Sequence, residues 1–223
     1  MLGAPVTVLP GIGEKRAQAI KALGLETVRD VLFGYPRTYK DFQNVVEPEH
    51  VEAGVEQLTC GRLSNLTERM ISKGRRVING QLGTLRLTWF VYHRGQGTSF
   101  LYRKLQRADK LWVYGVAKPG LFGPEMSSPE FFTRSPRLGL MPVYPLMSGI
   151  SNEQRIRWVE AALKSVYLLP ECLPEAFRGD YPHRVEAVKE VHFPKDWSSY
   201  RKARERLVFE EFFLFLLGLQ KGQ

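Results

Sequence analysis

A central stretch of the chain, from about Val46 to Phe132, consists of short apolar runs separated by glycines. No long helical period runs through it, and runs of this length between glycines are typical of β-strands. About five short strands fit the span, which suits a small barrel. The glycines that separate the runs include Gly74, Gly80, Gly83, Gly95, Gly97 and Gly115.

The segment GTLRLTWFVYH, residues 83–93, has the clearest strand pattern. Alternation assigns Leu85, Leu87, Trp89 and Val91 to one face, and Arg86, Thr88, Phe90 and Tyr92 to the other. An exposed face with an arginine and two aromatic side chains has the composition of a base-stacking surface in an oligonucleotide-binding (OB) barrel. The alternative is a strand buried on both faces, with Phe90 and Tyr92 in the core.

Helical patterns lie on both sides of this stretch. The predicted fold class is therefore α+β, with a five-stranded OB-fold β-barrel flanked by N-terminal and C-terminal helices. We expect a helical segment at residues 1–46, the barrel with a proline-rich extension at 47–147, and a helical connector at 148–223. Ser151 and Gln154 form a capping box for the first helix of that connector.

The N-terminal segment contains LPGIGEKRA, which matches the helix-hairpin-helix pattern hxxPGhGxxxA. In that motif the glycine hairpin and the next helix N-terminus present backbone N–H groups to a DNA phosphate, which makes Gly11 and Gly13 candidate phosphate-binding residues. A packing role for the same turn is the alternative. Thr27 and Asp30 form a capping box for a second short helix.

Positive charge is concentrated in the middle of the chain. The formal net charge is +9, and residues 57–118 hold 12 basic and only 2 acidic residues. This is either a solvated basic surface or a face that binds a polyanion such as nucleic acid. The candidate phosphate-binding residues in this region are Arg75, Arg76, Arg86, Arg94, Arg103, Lys104 and Arg107.

Residues 94–110, RGQGTSFLYRKLQRADK, predict a glycine-hinged loop that leads into a short basic helix. This segment adds two aromatic candidates, Phe100 and Tyr102, near one end of the barrel. It is not a dinucleotide-binding fingerprint, because the third glycine is missing.

Several common functional motifs do not occur in the sequence. GxxxxGK[ST] is absent, Cys60 and Cys172 form no CxxC pair, and the histidines have no metal-ligand spacing. We therefore expect no metal site and no enzymatic activity in this chain by itself. No apolar stretch reaches the roughly 18 to 20 residues of a membrane span, and no secretory signal is visible, so we expect a cytoplasmic protein.

Taken in order, several segments resemble the N-terminal region of the RecG family of ATP-dependent DNA helicases. They are LPGIGEKRAQAIKALGLETVRDVLFGYPRTYKD, LTWF, WVYGVAKPG, PVYPLMSGIS, VHFP and RERLVFEEFF. The resemblance implies a wedge domain that binds branched DNA, such as stalled replication forks and Holliday junctions, in DNA repair and recombination. It also implies that this chain is a fragment, with ATP and Mg bound by motor domains that follow it and residues 207–219 as the connecting helix.

By resemblance, the wedge splits strands at the junction while the motor translocates on duplex DNA and regresses the fork. The aromatic side chain of the family's wedge corresponds to Phe90, which stacks on an unpaired base. A second aromatic stacks on the other unpaired base, and Tyr92, Phe100 and Tyr102 are all candidates for it. The expected partners are branched DNA and the motor domains of the same chain, and we expect a monomer.

Two other functions fit the same pattern. A free-standing OB-fold protein would bind unbranched single-stranded DNA or RNA. An interaction module would instead dock an acidic protein tail on its basic face, and that binding would not depend on Phe90.

Overall fold

The computed structural model describes residues 2–221, with side chains described for residues 2–219. The chain forms two compact units. One contains Met1–Lys40 and Leu140–Gln223, and is called the helical unit; the other contains Asp41–Gly139, and is called the β unit. The sequence division at residues 46 and 147 separated the two terminal segments, whereas contacts group them together.

Within the described residues the helices are α1 (Glu14–Lys21), α2 (Val28–Phe33), α3 (Phe100–Gln106), α4 (Asn152–Leu163), α5 (Glu175–Arg178), α6 (Arg184–His192) and α7 (Trp197–Lys221). Short 3₁₀ helices occupy Val6–Val8, Pro48–His50 and Val166–Leu168. The strands are β1 (Thr38–Asp41), β2 (Val45–Val46), β3 (Glu56–Gly61), β4 (Leu63–Ser72), β5 (Arg75–Leu82), β6 (Leu85–Tyr92), β7 (Leu111–Val116), β8 (Lys118–Gly120), β9 (Gly123–Ser127), β10 (Glu130–Phe132) and β11 (Leu140–Val143).

Both predicted capping boxes of the helical unit are confirmed. At the start of α2, the Thr27 hydroxyl accepts from the Asp30 N–H, and the Asp30 carboxylate accepts from the Thr27 N–H at 2.7 Å. Ser151 and Gln154 make the same reciprocal pair at α4. These bonds satisfy N–H groups that a helix leaves unpaired in its first turn, so each helix begins at a defined residue.

The core of the helical unit draws on both ends of the sequence. Leu32 of α2 and Trp158 and Val159 of α4 are buried together with Val188 of α6. The Trp158 indole donates to the Pro10 carbonyl at 3.1 Å, which ties α4 to the N-terminal hairpin. Residues about 150 positions apart therefore share one core, which explains why the terminal segments form one unit.

Two sheets make up the β unit, with strand orders β10-β7-β3-β2 and β4-β5-β6-β9-β8. The chain passes between the two sheets four times, from β3 to β4, from β6 to β7, from β7 to β8 and from β9 to β10. At the last of these crossings Ser128 has a φ of 49° and its N–H donates to the Thr88 carbonyl at 2.6 Å. The two sheets are OB-like but do not close into the predicted five-stranded barrel.

One apolar core lies between the two sheets. Buried side chains of β5, β6, β7 and β9 fill it, including Ile78, Leu82, Leu85, Leu87, Trp89, Leu111, Val113 and Met126. The Trp89 indole donates to the Pro129 carbonyl at 3.0 Å, which satisfies its buried N–H. The α+β fold class with an OB-like β unit is therefore confirmed.

The proline-rich stretch after β7 carries β8 to β11. In the β8–β9 hairpin Pro119 lies opposite Pro124, and β8 is an edge strand, where a residue without an N–H is tolerated.

Helix α7 exposes large apolar side chains along its last turns, including Phe212 and Phe215, which are 63% and 62% exposed. Glu210 and Glu211 interrupt the apolar run. Among the residues described, no helix combines the length and the apolarity needed to cross a membrane.

Candidate nucleic-acid interface

The outer face of β6 presents the side chains that the alternation predicted. Leu85, Leu87 and Trp89 point into the core, whereas Phe90 and Tyr92 are 61% and 62% exposed. Arg86 is also exposed, and Thr88 is half-buried. Exposing two neighbouring aromatic side chains on one strand face costs hydrophobic free energy, and such a pair is suited to stacking on flat partners. The alternative of a strand buried on both faces is wrong.

Strand β5 extends this surface, because β5 and β6 pair along their whole length. Tyr92 lies opposite Arg75 and Phe90 lies opposite Val77. Ile71, at the tip of the β4–β5 hairpin, is 58% exposed and shares a groove with Phe90 and Tyr92. Ile71 was not among the predicted site residues, although an apolar pair, Met70 and Ile71, just before a glycine turn is a signal for an exposed tip.

The turn of this hairpin requires glycine at position 74. Gly74 has a φ of 78°, which an L-residue rarely adopts, and a Cβ there would lie 2.9 Å from the Tyr92 ring. The Tyr92 ring is also held by Arg94, whose Nε donates to the tyrosine hydroxyl and whose guanidinium carbon lies 5.1 Å from the ring centroid. Tyr92 is therefore fixed in place while much of its ring stays exposed.

Arg76, a predicted phosphate ligand, is engaged inside the β unit. Its Nη1 donates to Glu68 at 3.1 Å and its Nη2 to the Gly95 carbonyl at 3.0 Å. Burial raises the pKa of Glu68, but hydrogen bonds from Ser99 and Arg76 outweigh it and hold that pKa below its usual value. Ser99 is also the N-cap of α3. Arg76 therefore positions the loop and α3, while the exposed arginines are open to phosphate.

Helix α3 forms a second basic surface. Phe100 is 74% exposed and lines a groove with Arg103, Lys104 and Arg107. Arg134, from the segment after β10, lines the same groove. Arg134 was not among the predicted phosphate-binding residues, because it lies 27 residues after the last of them, Arg107.

The three candidates for the second stacking residue have different environments. Tyr92 is exposed beside Phe90 on β6, and Phe100 is exposed at the start of α3. Tyr102 is half-buried and packs against the core, since residues two positions apart on a helix point to nearly opposite sides. Tyr92 has the environment that best suits pairing with Phe90.

Gly11 and Gly13 belong to the helical unit. Gly11 has a φ of 75°, and its carbonyl accepts from Arg16 at 2.7 Å. Gly13 is the N-cap of α1, so the N–H groups of the first turn face outward without a side-chain cap. The predicted hairpin geometry is present, and its role in phosphate binding stays a prediction.

One cluster has the residue types of a metal site: Glu171, Cys172 and Glu210 lie within 4.8 Å of one another. Both carboxylates are already paired with arginines. Arg206 bridges Glu171 and Glu210, and Arg184 contacts Glu210 at 2.7 Å. The geometry is that of a buried ion-pair network of the helical unit.

The strand order, the parallel β6–β9 pair and the exposed aromatic and basic surface define the β unit as an OB-like domain. A family model described as "RecG wedge domain" matches residues 5–166 of this chain. The chain therefore belongs to the RecG wedge-domain family, and the sequence resemblance is confirmed.

Full-length relatives and a solved structure agree with this assignment. ATP-dependent DNA helicase RecG of Synechocystis sp. is 29% identical over 97% of this chain, and that of Thermotoga maritima is 28% identical over 99%. A structure described as RecG bound to a three-way DNA junction matches 99% of this chain with a TM-score of 0.77 and 26% identity. The chain spans 29% of the length of these two relatives and 31% of the solved chain.

Proposed function

We propose that this chain binds branched DNA, such as stalled replication forks and Holliday junctions, and acts as the wedge of a fork-regression helicase. The observation that carries the proposal is the exposed pair Phe90 and Tyr92 beside the apolar hairpin tip at Ile71. Aromatic faces of this kind stack on unpaired bases, and a branch point is where paired bases become unpaired. The match to RecG bound to a three-way DNA junction supports the same role.

Basic side chains on either side of the aromatic pair would hold the DNA arms. Arg75, Arg94, Arg103, Lys104 and Arg107 are exposed, and contacts to phosphates carry no sequence information. Stacking is equally tolerant of sequence. A surface built from these two interactions suits a protein that recognises the shape of a junction at any sequence.

The relatives are named ATP-dependent DNA helicases, and GxxxxGK[ST] does not occur in this chain. We propose that ATP and Mg are bound by motor domains of the same parent protein, outside these 223 residues. This region would then split strands while the motor pulls duplex DNA past it. We further propose that it acts as a monomer in the cytoplasm, where the DNA of the bacterial relatives lies.

Competition binding measured by fluorescence anisotropy tests the proposal. A fork, a Holliday junction, linear duplex and single strand would compete at about 0.1 M salt, where electrostatic binding remains strong. We expect the fork and the Holliday junction to bind most tightly. A preference for unbranched single strand would instead favour a free-standing OB-fold binder, and equal affinity for all four DNAs would contradict junction recognition.

Phe90→Ala should weaken fork binding by about 1 to 3 kcal/mol, the range for loss of one stacked base. The matched control is Phe177→Ala, because Phe177 is 56% exposed but belongs to the helical unit. Unchanged fork affinity in Phe90→Ala, with the control also unchanged, would remove the stacking surface from the proposal.

A further inference from the structure

A third exposed aromatic side chain lies on the β unit outside the Phe90 and Tyr92 pair. Phe122, in the turn of the β8–β9 hairpin, is 71% exposed. The Arg86 guanidinium carbon lies 4.5 Å from the centroid of its ring. A cation–π pair of this kind fixes the ring and presents an arginine edge to an anion. Arg86 was predicted from the sequence as a phosphate ligand, whereas Phe122 was not predicted as a site residue.

Arg86 of this pair also lines a polar groove on the outer face of the five-stranded sheet. Arg86 lies opposite Gln81, Thr88 opposite Asn79, and Phe90 opposite Val77, so these residues share the outer face. The groove is lined by side chains that include Asn65, Arg69, Asn79, Arg86 and Thr88. Amides, a hydroxyl and two arginines are groups that hydrogen-bond to phosphates, sugars and base edges.

Local contacts hold these polar groups in position. The Thr88 hydroxyl donates to the Asn79 amide oxygen at 3.1 Å, and the Asn65 amide donates to Gln81 at 3.0 Å. The arginines outnumber the acidic lining residue, Glu125. The groove therefore has net positive charge and a preformed set of hydrogen-bonding groups.

The spacing of the exposed side chains Arg86 and Phe90 along β6 indicates the size of the ligand. Arg86 and Phe90 are four residues apart on β6, which corresponds to about 13 Å at the rise of a strand. About four bases cover that distance at the 3.4 Å spacing of stacked nucleotides. This is the lower end of the range bound by OB folds. Aromatic side chains at both ends favour an unpaired strand, because the base faces of a duplex are already stacked on each other.

We propose that the outer face of the five-stranded sheet binds one unpaired DNA strand of about four nucleotides. The strand runs from the branch point at Phe90 to a second stacking position on Phe122, and Arg86 holds its backbone. This inference rests on the proposed junction-binding function and adds the path of one strand away from the junction.

Two forks of identical arm sequence test this path. One carries a single-stranded gap of about four nucleotides next to the branch point, and the other has fully paired arms. Phe122→Ala should weaken binding of the gapped fork about tenfold, which is within the range for one lost stacking contact, and leave the paired fork unchanged. Tyr167→Ala is the control, since Tyr167 is 71% exposed and belongs to the helical unit.

Glu125→Gln is a variant that should change the affinity for the gapped fork in the opposite direction. Removing the acidic group of the groove should tighten binding of the gapped fork and leave the paired fork unchanged, because the repulsion of phosphates is relieved only where a strand lies in the groove. Phe122 and Glu125 are both exposed, so neither substitution should change the melting temperature. A lowered melting temperature would therefore identify a variant whose weaker binding comes from a folding defect.

The outcomes separate this inference from the proposed function. If Phe90→Ala weakens both forks while Phe122→Ala weakens neither, the strand path is overturned and junction binding stands. If Phe122→Ala weakens both forks equally, its contact is with paired DNA, and the path is also overturned. If neither substitution affects either fork, the stacking surface of the proposed function fails together with the inference.

Discussion

Arg75 and Arg76 are adjacent arginines in opposite environments. Successive side chains of a strand point to opposite faces, so Arg75 shares the outer face with Tyr92, whereas Arg76 pairs with Glu68. Both residues contribute equally to the charge of the sequence. The environment of each arginine depends on the register of β5. Arg75 is exposed on the outer face, whereas Arg76 is occupied by its ion pair.

At the same scale, His192 links three parts of the helical unit. Its Nε2 lies 2.8 Å from the Leu32 carbonyl and its Nδ1 lies 2.8 Å from the Tyr144 hydroxyl. A carbonyl only accepts, so Nε2 carries the proton, and the tyrosine donates to Nδ1. Burial lowers the pKa of His192 to about 4, which keeps the imidazole neutral.

His192 should therefore make stability depend on pH. In the unfolded chain its pKa is about 6.5, so between about pH 6.5 and 4 the unfolded state binds more protons, and stability falls as pH falls. The loss between about pH 7 and 5 should be about 2 kcal/mol, measured by urea unfolding. His192→Gln keeps a donor and an acceptor without titrating, and an undiminished pH slope in this variant would contradict the assignment.

At the scale of elements, a buried ion-pair network fixes α7 against α6 and the segment before α5. Glu210 of α7 accepts from Arg184 of α6 and from Arg206 one turn earlier, and Arg206 also contacts Glu171. Arg184 and Arg206 are 6% and 0% exposed. A buried charge without a partner lowers the free energy of unfolding. The position of α7 therefore depends on each of the four charged side chains in the network.

Glu210→Gln should destabilise the helical unit by about 3 kcal/mol, because it leaves two buried guanidinium groups short of a counter-charge. The loss of helical circular dichroism during urea unfolding measures it. Glu211→Gln is the matched control, since Glu211 is the next residue on the same helix but is exposed. Equal stability of the two variants would mean that the network contributes little.

For the whole molecule, the distribution of charge matters more than the net charge. The β unit, residues 41–139, holds 14 basic and 9 acidic residues, and five of the acidic residues lie at positions 41–56, up to the first residue of β3. Residues 57–118 hold 12 of the basic residues and only two acidic ones, Glu68 and Asp109. The β unit therefore separates its charges along the chain, and the aromatic pair lies within the segment that carries the excess of positive charge.

The salt dependence of fork binding should show how many basic side chains of the β unit contact phosphates. Arg75→Gln should flatten the slope of log affinity against log salt by about 0.7 to 0.9, the value for one phosphate contact. Lys164→Gln removes an equal charge from the exposed surface of the helical unit and should leave the slope unchanged. Equal flattening by both substitutions would indicate a general effect of net charge.

Patterns along the sequence are sufficient to predict the local structure and the exposed face of β6. Strand alternation is local, so residues 85–92 assigned Phe90 and Tyr92 to the outer surface, and the two capping boxes were readable because their partners lie three residues apart. The ordered resemblance to the RecG family also came from sequence alone. These features depend on neighbours along the chain, whose relative positions the backbone geometry fixes.

Contacts between distant residues depend on the tertiary structure. Trp158 hydrogen-bonds to Pro10, and Arg86 stacks on the Phe122 ring. Arg76 forms an ion pair with Glu68 and so is not part of the exposed basic surface. The β unit forms two OB-like sheets instead of the predicted closed barrel, and Ser128 lies at one of the crossings between them. None of these contacts follows from periodicity, because each depends on packing between elements far apart in the chain, and packing is selected by the shape and burial of the whole core.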